Sequence, residues 1–235
     1  MIKIVKGDEP EELKRLRETA ENQGLNPKEA YELLNADRRL KKKIKRVLVK
    51  EQGGLCAYCM CRIPRDDVEV GIAPITIEHY IPRNPEDGRD IGQGLDYNNL
   101  LTVCNGNRAA KGTRNENDLI CDAHRKNTEF IKVNPCVPET LNTIFYYLDG
   151  KIDATDADVK KDLTETLNLN CTTAPLIKER KAVLDELMDE PSVLELDELV
   201  MYCDKILENL KNEQDVKTPY VGILLWYLKS IVEYN

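Results

Sequence analysis

The side chains with metal-binding or proton-transfer chemistry in this 235-residue sequence gather in one stretch. Cys56-Ala57-Tyr58-Cys59 offers two thiols across one turn. That is the spacing with which a Cys-x-x-Cys loop delivers two thiolates to one side of a tetrahedral zinc ion. Cys104 follows much later, and Asn105-Gly106-Asn107 stands where a second Cys-x-x-Cys turn would close. Cys121 is then the natural fourth ligand, with the residues between forming an inserted loop; Cys61, Cys136 and His124 stay open as alternatives. A zinc ion enclosed by Cys56, Cys59, Cys104 and Cys121 has no open coordination position, so it would shape its surroundings without doing chemistry. Cys171 and Cys203 fall in helical patterns and read as buried hydrophobes. Between the two half-sites lies Ile77-Glu78-His79-Tyr80-Ile81-Pro82, which sets a carboxylate beside an imidazole. A lone histidine is most often structural. This one adjoins an acid and lies between metal half-sites, and the only other histidine, His124, falls in the same region.

The elements that must position these groups are readable in outline. Met1-Ile2-Lys3-Ile4-Val5-Lys6 reads as a short strand. Glu9-Pro10-Glu11-Glu12 gives a proline and acidic first turn to a helix that runs to about residue 20. Pro27 opens a second helix to about 34. A third, over 36–52, sets Leu40, Ile44, Val47 and Leu48 on one face. Gly53-Gly54 stops it directly before Cys56. Residues 55–135 are rich in Gly, Pro, Asn and Cys, with strand candidates only at Val68-Glu69-Val70 and Ile75-Thr76-Ile77 and loops over 84–94 and 105–117. Such a region needs reinforcement, which a metal supplies. A hairpin over 143–152 turns at Asp149-Gly150, and amphipathic helices follow at about 156–168, 174–189, 192–212 and 218–234. The expectation is an α+β protein: strand and basic helices over 1–54, a metal-stabilised core over 55–138, and a hairpin with an acidic helical domain over 139–235.

Composition narrows the class. No apolar run approaches the ~20 residues that cross a bilayer, and the N-terminus is too short and too charged for a signal peptide. Eight cysteines in that context read as thiols or ligands rather than disulfides, which predicts a cytoplasmic protein with no membrane partner. The net charge of −8 is unevenly spread. Residues 1–138 carry 24 Lys/Arg against 22 Asp/Glu, and residues 139–235 carry 10 against 20. The densest basic run is Arg38-Arg39-Leu40-Lys41-Lys42-Lys43-Ile44-Lys45-Arg46; it reads either as a solvated helix face or as phosphate contacts through Lys41, Lys42 and Lys45. The acidic back part points to a partner protein that helps hold a polyanion.

Taken in order, the Cys-x-x-Cys turn, Glu78-His79, Tyr97-Asn98-Asn99-Leu100-Leu101, Val103-Cys104-Asn105-Gly106-Asn107, Cys121-Asp122 and Val133-Asn134-Pro135 resemble the HNH endonucleases. With Met1-Ile2-Lys3-Ile4 they are most similar to the nuclease subunits of Septu-type and retron-associated anti-phage systems. The resemblance covers about residues 1–150 well and the helical tail loosely. It implies a zinc-buttressed ββα-metal core and phosphodiester hydrolysis with one Mg²⁺ or Mn²⁺, on DNA in preference to RNA. His79 would be the general base, since a pKa near ~6.5 suits that task. Glu78 would ligate the catalytic metal, although it points away from His79 if both are extended, so the strand must bend there. Asn99 would hold the loop that aims the His79 ring.

The motif's final letter departs. Asp122 stands where His or Asn is usual, either as a hard-metal ligand or as a helix N-cap, and His124 and Asn127 are alternatives. Lys111, Arg114, Arg125 and Lys126 read as phosphate contacts or as solvated loop charges. The branch also implies an ABC- or SMC-like ATPase partner encoded nearby, in some systems with a retron, and no G-x-x-x-x-G-K-[ST] motif occurs in this chain. The apolar helix Thr218–Leu228, with the only tryptophan, reads as internal packing or as a docking surface for a second subunit. The rival to a nuclease is a non-catalytic, zinc-stabilised adaptor that binds nucleic acid or a partner.

Overall fold

A computed structural model describes residues 1–64, 75–83, 94–108, 115–189 and 195–234. The strand candidate at 68–70 lies outside the described residues. The architecture is α+β, with eight α-helices and two small antiparallel sheets among those residues. No helix among them is long and apolar enough to cross a membrane.

Three N-terminal helices form a layer. α1 (Glu11–Asn22) starts after Pro10 with Glu11 and Glu12 in its first turn, where acidic side chains meet the positive end of the helix dipole. α2 (Pro27–Ala36) is set by a capping box, in which Asn26 accepts from the Glu29 amide and Glu29 from the Asn26 amide, both at 3.0 Å. α3 (Arg38–Glu51) is capped by Asp37 and buries Leu40, Ile44, Leu48 and Val49. Leu13, Leu34, Ile44 and Leu48 are fully enclosed in the core that this layer makes with Ile77, Tyr97 and Leu100. The expected N-terminal strand is absent. Residues 1–10 carry no regular structure, and Ile4 instead donates one backbone bond to Pro135.

The first sheet pairs β1 (Thr76–His79) with β2 (Leu100–Val103), in the register Ile77↔Thr102, Glu78↔Leu101, His79↔Leu100. Both its faces are covered. Ile77 and Leu100 enter the core under α1–α3, whereas Leu101 and Val103 enter a second core with the cysteines. Gln52, at the end of α3, is buried and acts as a substitute strand for β2: its side chain accepts from the Thr102 amide and donates to the Thr102 and Leu55 carbonyls, all within 2.7–2.8 Å. After β2 the chain reaches α4 (Cys121–Arg125).

The expected hairpin is β3 (Ile144–Tyr146) with β4 (Ile152–Ala154), turning at Asp149-Gly150. α5 (Ala157–Lys161) runs on as a turn of π-helix, Asp162–Thr166; α6 (Leu176–Asp189), α7 (Leu196–Asn212) and α8 (Val221–Tyr234) follow. The π-helical turn, α6 and α8 do not pack apart from the first half of the chain. Leu163, Leu167, Leu176, Leu184, Val221, Ile223 and Leu224 share one continuous core with Leu55, Tyr58 and Leu101. Packing therefore accounts for most of the apolar face of α8, with Leu228 closing against Cys203 and Leu207 of α7.

One close approach fixes where α4 begins. Gly106 has φ +67°, and a Cβ there would fall 2.2 Å from Ala123 Cβ and 2.6 Å from the Ile120 carbonyl. Gly24 has a similar φ of +66° with open space around it. Gly24→Ala should therefore cost only the ~1 kcal/mol of left-handed strain. Gly106→Ala adds overpacking and should cost at least about 3 kcal/mol. Urea denaturation of the two variants checks the difference; equal losses would contradict the approach of α4 to the 104–107 turn.

Candidate metal centre and active site

Cys56 and Cys59 sit on a tight turn closed by Met60 N–H to Cys56 C=O (3.1 Å) and Cys56 N–H to Cys61 C=O (3.0 Å). Ala57 N–H donates to Thr102 C=O, which ties this turn to β2. Cys104 follows directly on β2, and Cys121 begins α4, its amide held by Leu167 C=O at 2.9 Å. Those four sulfurs lie within 4.8 Å of one another and are the one group of three or more Cys, His, Asp or Glu among the described residues able to hold a metal ion. The spacing fits zinc. A tetrahedron with Zn–S near ~2.3 Å has sulfurs about 3.8 Å apart, and Cys56–Cys121 and Cys59–Cys104 stand 3.9 and 3.8 Å apart. As thiols the four share protons: Cys104 is drawn down to about 6, first by hydrogen bonding with Cys121. Burial pushes the Cys121 thiol well up. Cys61 and Cys136 are half-buried outside the set, and His124 directs Nδ1 to Thr166 C=O at 3.1 Å. None of these three completes the cluster.

Beside the cluster, β1 presents Glu78 and His79 to opposite faces with no bend between them, since both keep ladder register. Glu78 is 6% exposed and faces Tyr58, which donates to it at 3.1 Å, and the Arg125 guanidinium, with which it is ion-paired. Asp122, half-buried in the first turn of α4, acts on the same carboxyl through its charge. Burial, first of all, and then the Asp122 charge hold the Glu78 carboxyl well above its usual range, against the pull of Arg125. Two carboxylates facing one guanidinium leave one negative charge uncompensated, which a proton or a divalent cation relieves. His124 and Asn127 are not brought to them by any contact: His124 turns to Thr166, and Asn127 is exposed.

His79 is also 6% exposed. Its Nε2 lies 2.9 Å from the Gly94 carbonyl, and the Tyr31 ring meets it edge-on at 4.7 Å. A carbonyl only accepts, so Nε2 carries the proton and the Nδ1 lone pair is left as the base. Burial lowers its pKa to about 3; the Gly94 bond opposes this, and Arg83 and Arg125 add to it. Asn99 (3% exposed) clamps the bend after β1 from both sides: its Oδ1 accepts from Ile81 N–H at 2.6 Å and its Nδ2 donates to Ile81 C=O at 3.0 Å.

The basic residues divide. Arg125 is 1% exposed and committed to Glu78, Tyr58, the Thr128, His79 and Tyr80 carbonyls and the Phe130 ring. The expectation that it contacts phosphate is corrected: its donors are spent on holding β1 to α4. Lys126 is exposed and paired with Glu116. Lys41 bonds Asn35 at 2.6 Å and Lys45 reaches Ile75 C=O at 3.1 Å, both half-buried on α3, as is Lys42. Lys111 and Arg114 lie outside the described residues. Sequence reasoning passed over Tyr58, Tyr31 and Arg83, the last stacked over Tyr31 at 4.1 Å. Only their nearness in space to Glu78 and His79 marks them.

No family model matches the sequence, and no curated protein is similar enough to place it in a family.

Cys56→Ser removes one corner of the sulfur tetrahedron, and zinc chelation removes its centre. Hydrogen exchange should then speed first in the 55–63, 100–107 and 118–125 backbone, before α1–α3, by about tenfold for each ~1.4 kcal/mol of local stability lost. Unchanged protection in those segments would rule out a metal that holds them together.

Proposed function

We propose that this chain is a metal-dependent endonuclease of the HNH kind, with a structural zinc at Cys56, Cys59, Cys104 and Cys121 and a ββα-metal core made of β1, β2 and α4. One observation carries the reading. His79 has Nε2 fixed by the Gly94 carbonyl and Nδ1 left as a base, while Asn99 clamps the backbone two residues further on. Every neutral imidazole keeps one lone pair; what a merely structural histidine does not need is the clamped turn after it. The substrate class is a nucleic-acid phosphodiester, DNA before RNA, with the basic face of α3 as one source of phosphate contacts. Anti-phage defence beside an ATPase, in the cytoplasm, follows from the sequence resemblance alone.

In this reading Glu78 and Asp122 would hold one Mg²⁺ or Mn²⁺, which would supply charge neutralisation at the phosphate and the leaving oxygen. His79 accepts the proton of the attacking water at Nδ1, and the Gly94 carbonyl keeps the ring in the tautomer that can do so. Asn99 supplies no proton; it holds the turn that sets the ring. The chain as it stands is a closed form. Arg125 occupies Glu78, and His79 is buried on the far face of β1, too weak a base at a pKa of about 3. Catalysis therefore requires the end of β1 to turn and an anionic phosphate to approach His79, which raises its pKa. A partner subunit that opens the site gives this a physical trigger.

The Glu78–Arg125 pair also favours a second reading, the zinc-stabilised adaptor, because a buried ion pair is complete without any metal. Cleavage separates the two. His79→Ala should keep its circular dichroism and zinc content and lose Mn²⁺- or Mg²⁺-dependent cleavage of plasmid DNA by about 10²–10⁴-fold. Equal cleavage by the variant, or DNA bound but never cut by the parent in any metal, would overturn the nuclease.

A further inference from the structure

Arg180, on α6, is 1% exposed, which makes it one of two fully enclosed arginines among the described residues. The other, Arg125, has Glu78. Among the described residues Arg180 has no carboxylate within ion-pair distance: its Nη2 donates to Leu169 C=O at 2.7 Å and to Asn170 Oδ1 at 3.4 Å, and its buried Nε has no partner. A guanidinium so placed is costly unless an anion lies close by. Its position names one. Leu169, which accepts from Arg180, is two residues from Leu167, whose carbonyl holds the Cys121 amide, and charge on Cys59 or Cys121 favours the guanidinium's charged form. Four thiolates around a dication carry a formal charge of −2, buried in the same core as this unpaired cation.

We propose that Arg180 is the counter-charge of the four-cysteine metal centre. On the metal reading of those cysteines, Arg180 ligates nothing and offsets the net negative charge of the four-sulfur centre. The buried cation and the buried anion are then each tolerable only because of the other. It also gives the C-terminal helices a part in the site: α6 carries the charge that lets the centre form.

The test compares the full chain with Arg180→Met, Arg180→Lys and Leu184→Ala, the last a buried apolar residue on the same helix. Zinc affinity is measured under reducing conditions by competition with a chromophoric chelator, and melting temperature with zinc and with excess EDTA. Arg180→Met should weaken zinc binding about 10–100-fold, the loss typical of a partner that supports metal ligands. It should lower the melting temperature of the zinc form but not of the chelated form, where the buried charge is a burden. Arg180→Lys should recover most of the affinity, and Leu184→Ala should destabilise both forms alike. An unchanged affinity in Arg180→Met, or a loss matched by Leu184→Ala, would overturn the inference while leaving the metal reading intact. A parent chain that binds no zinc would overturn both.

Discussion

The structure depends on the convergence of four sulfurs from three separate stretches of chain. The 56–59 turn follows the end of α3, Cys104 follows β2, and Cys121 begins α4, yet the four lie within 4.8 Å. Buried thiols are poor hydrogen-bond partners and add little packing, so without a shared metal this convergence gains little for the ordering it demands. With one, each segment is fixed to the others, and elements of four or five residues, too short to persist alone, acquire a defined place. Much else serves the same join. Gln52 completes the edge of β2, the Leu167 carbonyl holds Cys121, and Asn168 bonds the Asn117 and Leu119 carbonyls just ahead of it.

The β1–β2 sheet then divides the chemistry. Because neighbouring residues of a strand face opposite ways, one core receives Glu78 and the other His79. Arg125 crosses behind this division, pairing with Glu78 and bonding the His79 and Tyr80 carbonyls. The Glu78 carboxyl and the His79 imidazole are thus built separately, each with its own neighbours: Tyr58, Arg125 and Asp122 for one, Gly94, Tyr31 and Asn99 for the other. On the nuclease reading, turning one residue at the end of β1 would change the surroundings of both groups at once.

The helices were legible because their signals are local. Pro27 and the apolar spacing of α3 place those elements to within two residues, and Asp149-Gly150 places the hairpin turn. The four cysteines were legible because a metal restricts residue type and the nearest spacing together. What escaped was non-local. Residues 1–6 carry a strand-like pattern but find no strand to pair with. Arg125 reads as one more basic loop residue, and only the fold shows Glu78 beside it. Gln52, Arg180 and Asp162, whose buried carboxylate accepts the amides of Ile131, Lys132 and Val133, carry no motif at all. Their roles follow from where distant backbone comes to lie.

The central claim is that a metal joins the three cysteine-bearing segments, and the most direct measurement is X-ray absorption at the zinc edge on the purified full chain, with metal content determined alongside. The account predicts one zinc per chain in a shell of four sulfurs near ~2.3 Å, with no light-atom ligand. A chain free of metal, or a shell containing nitrogen or oxygen, would contradict it.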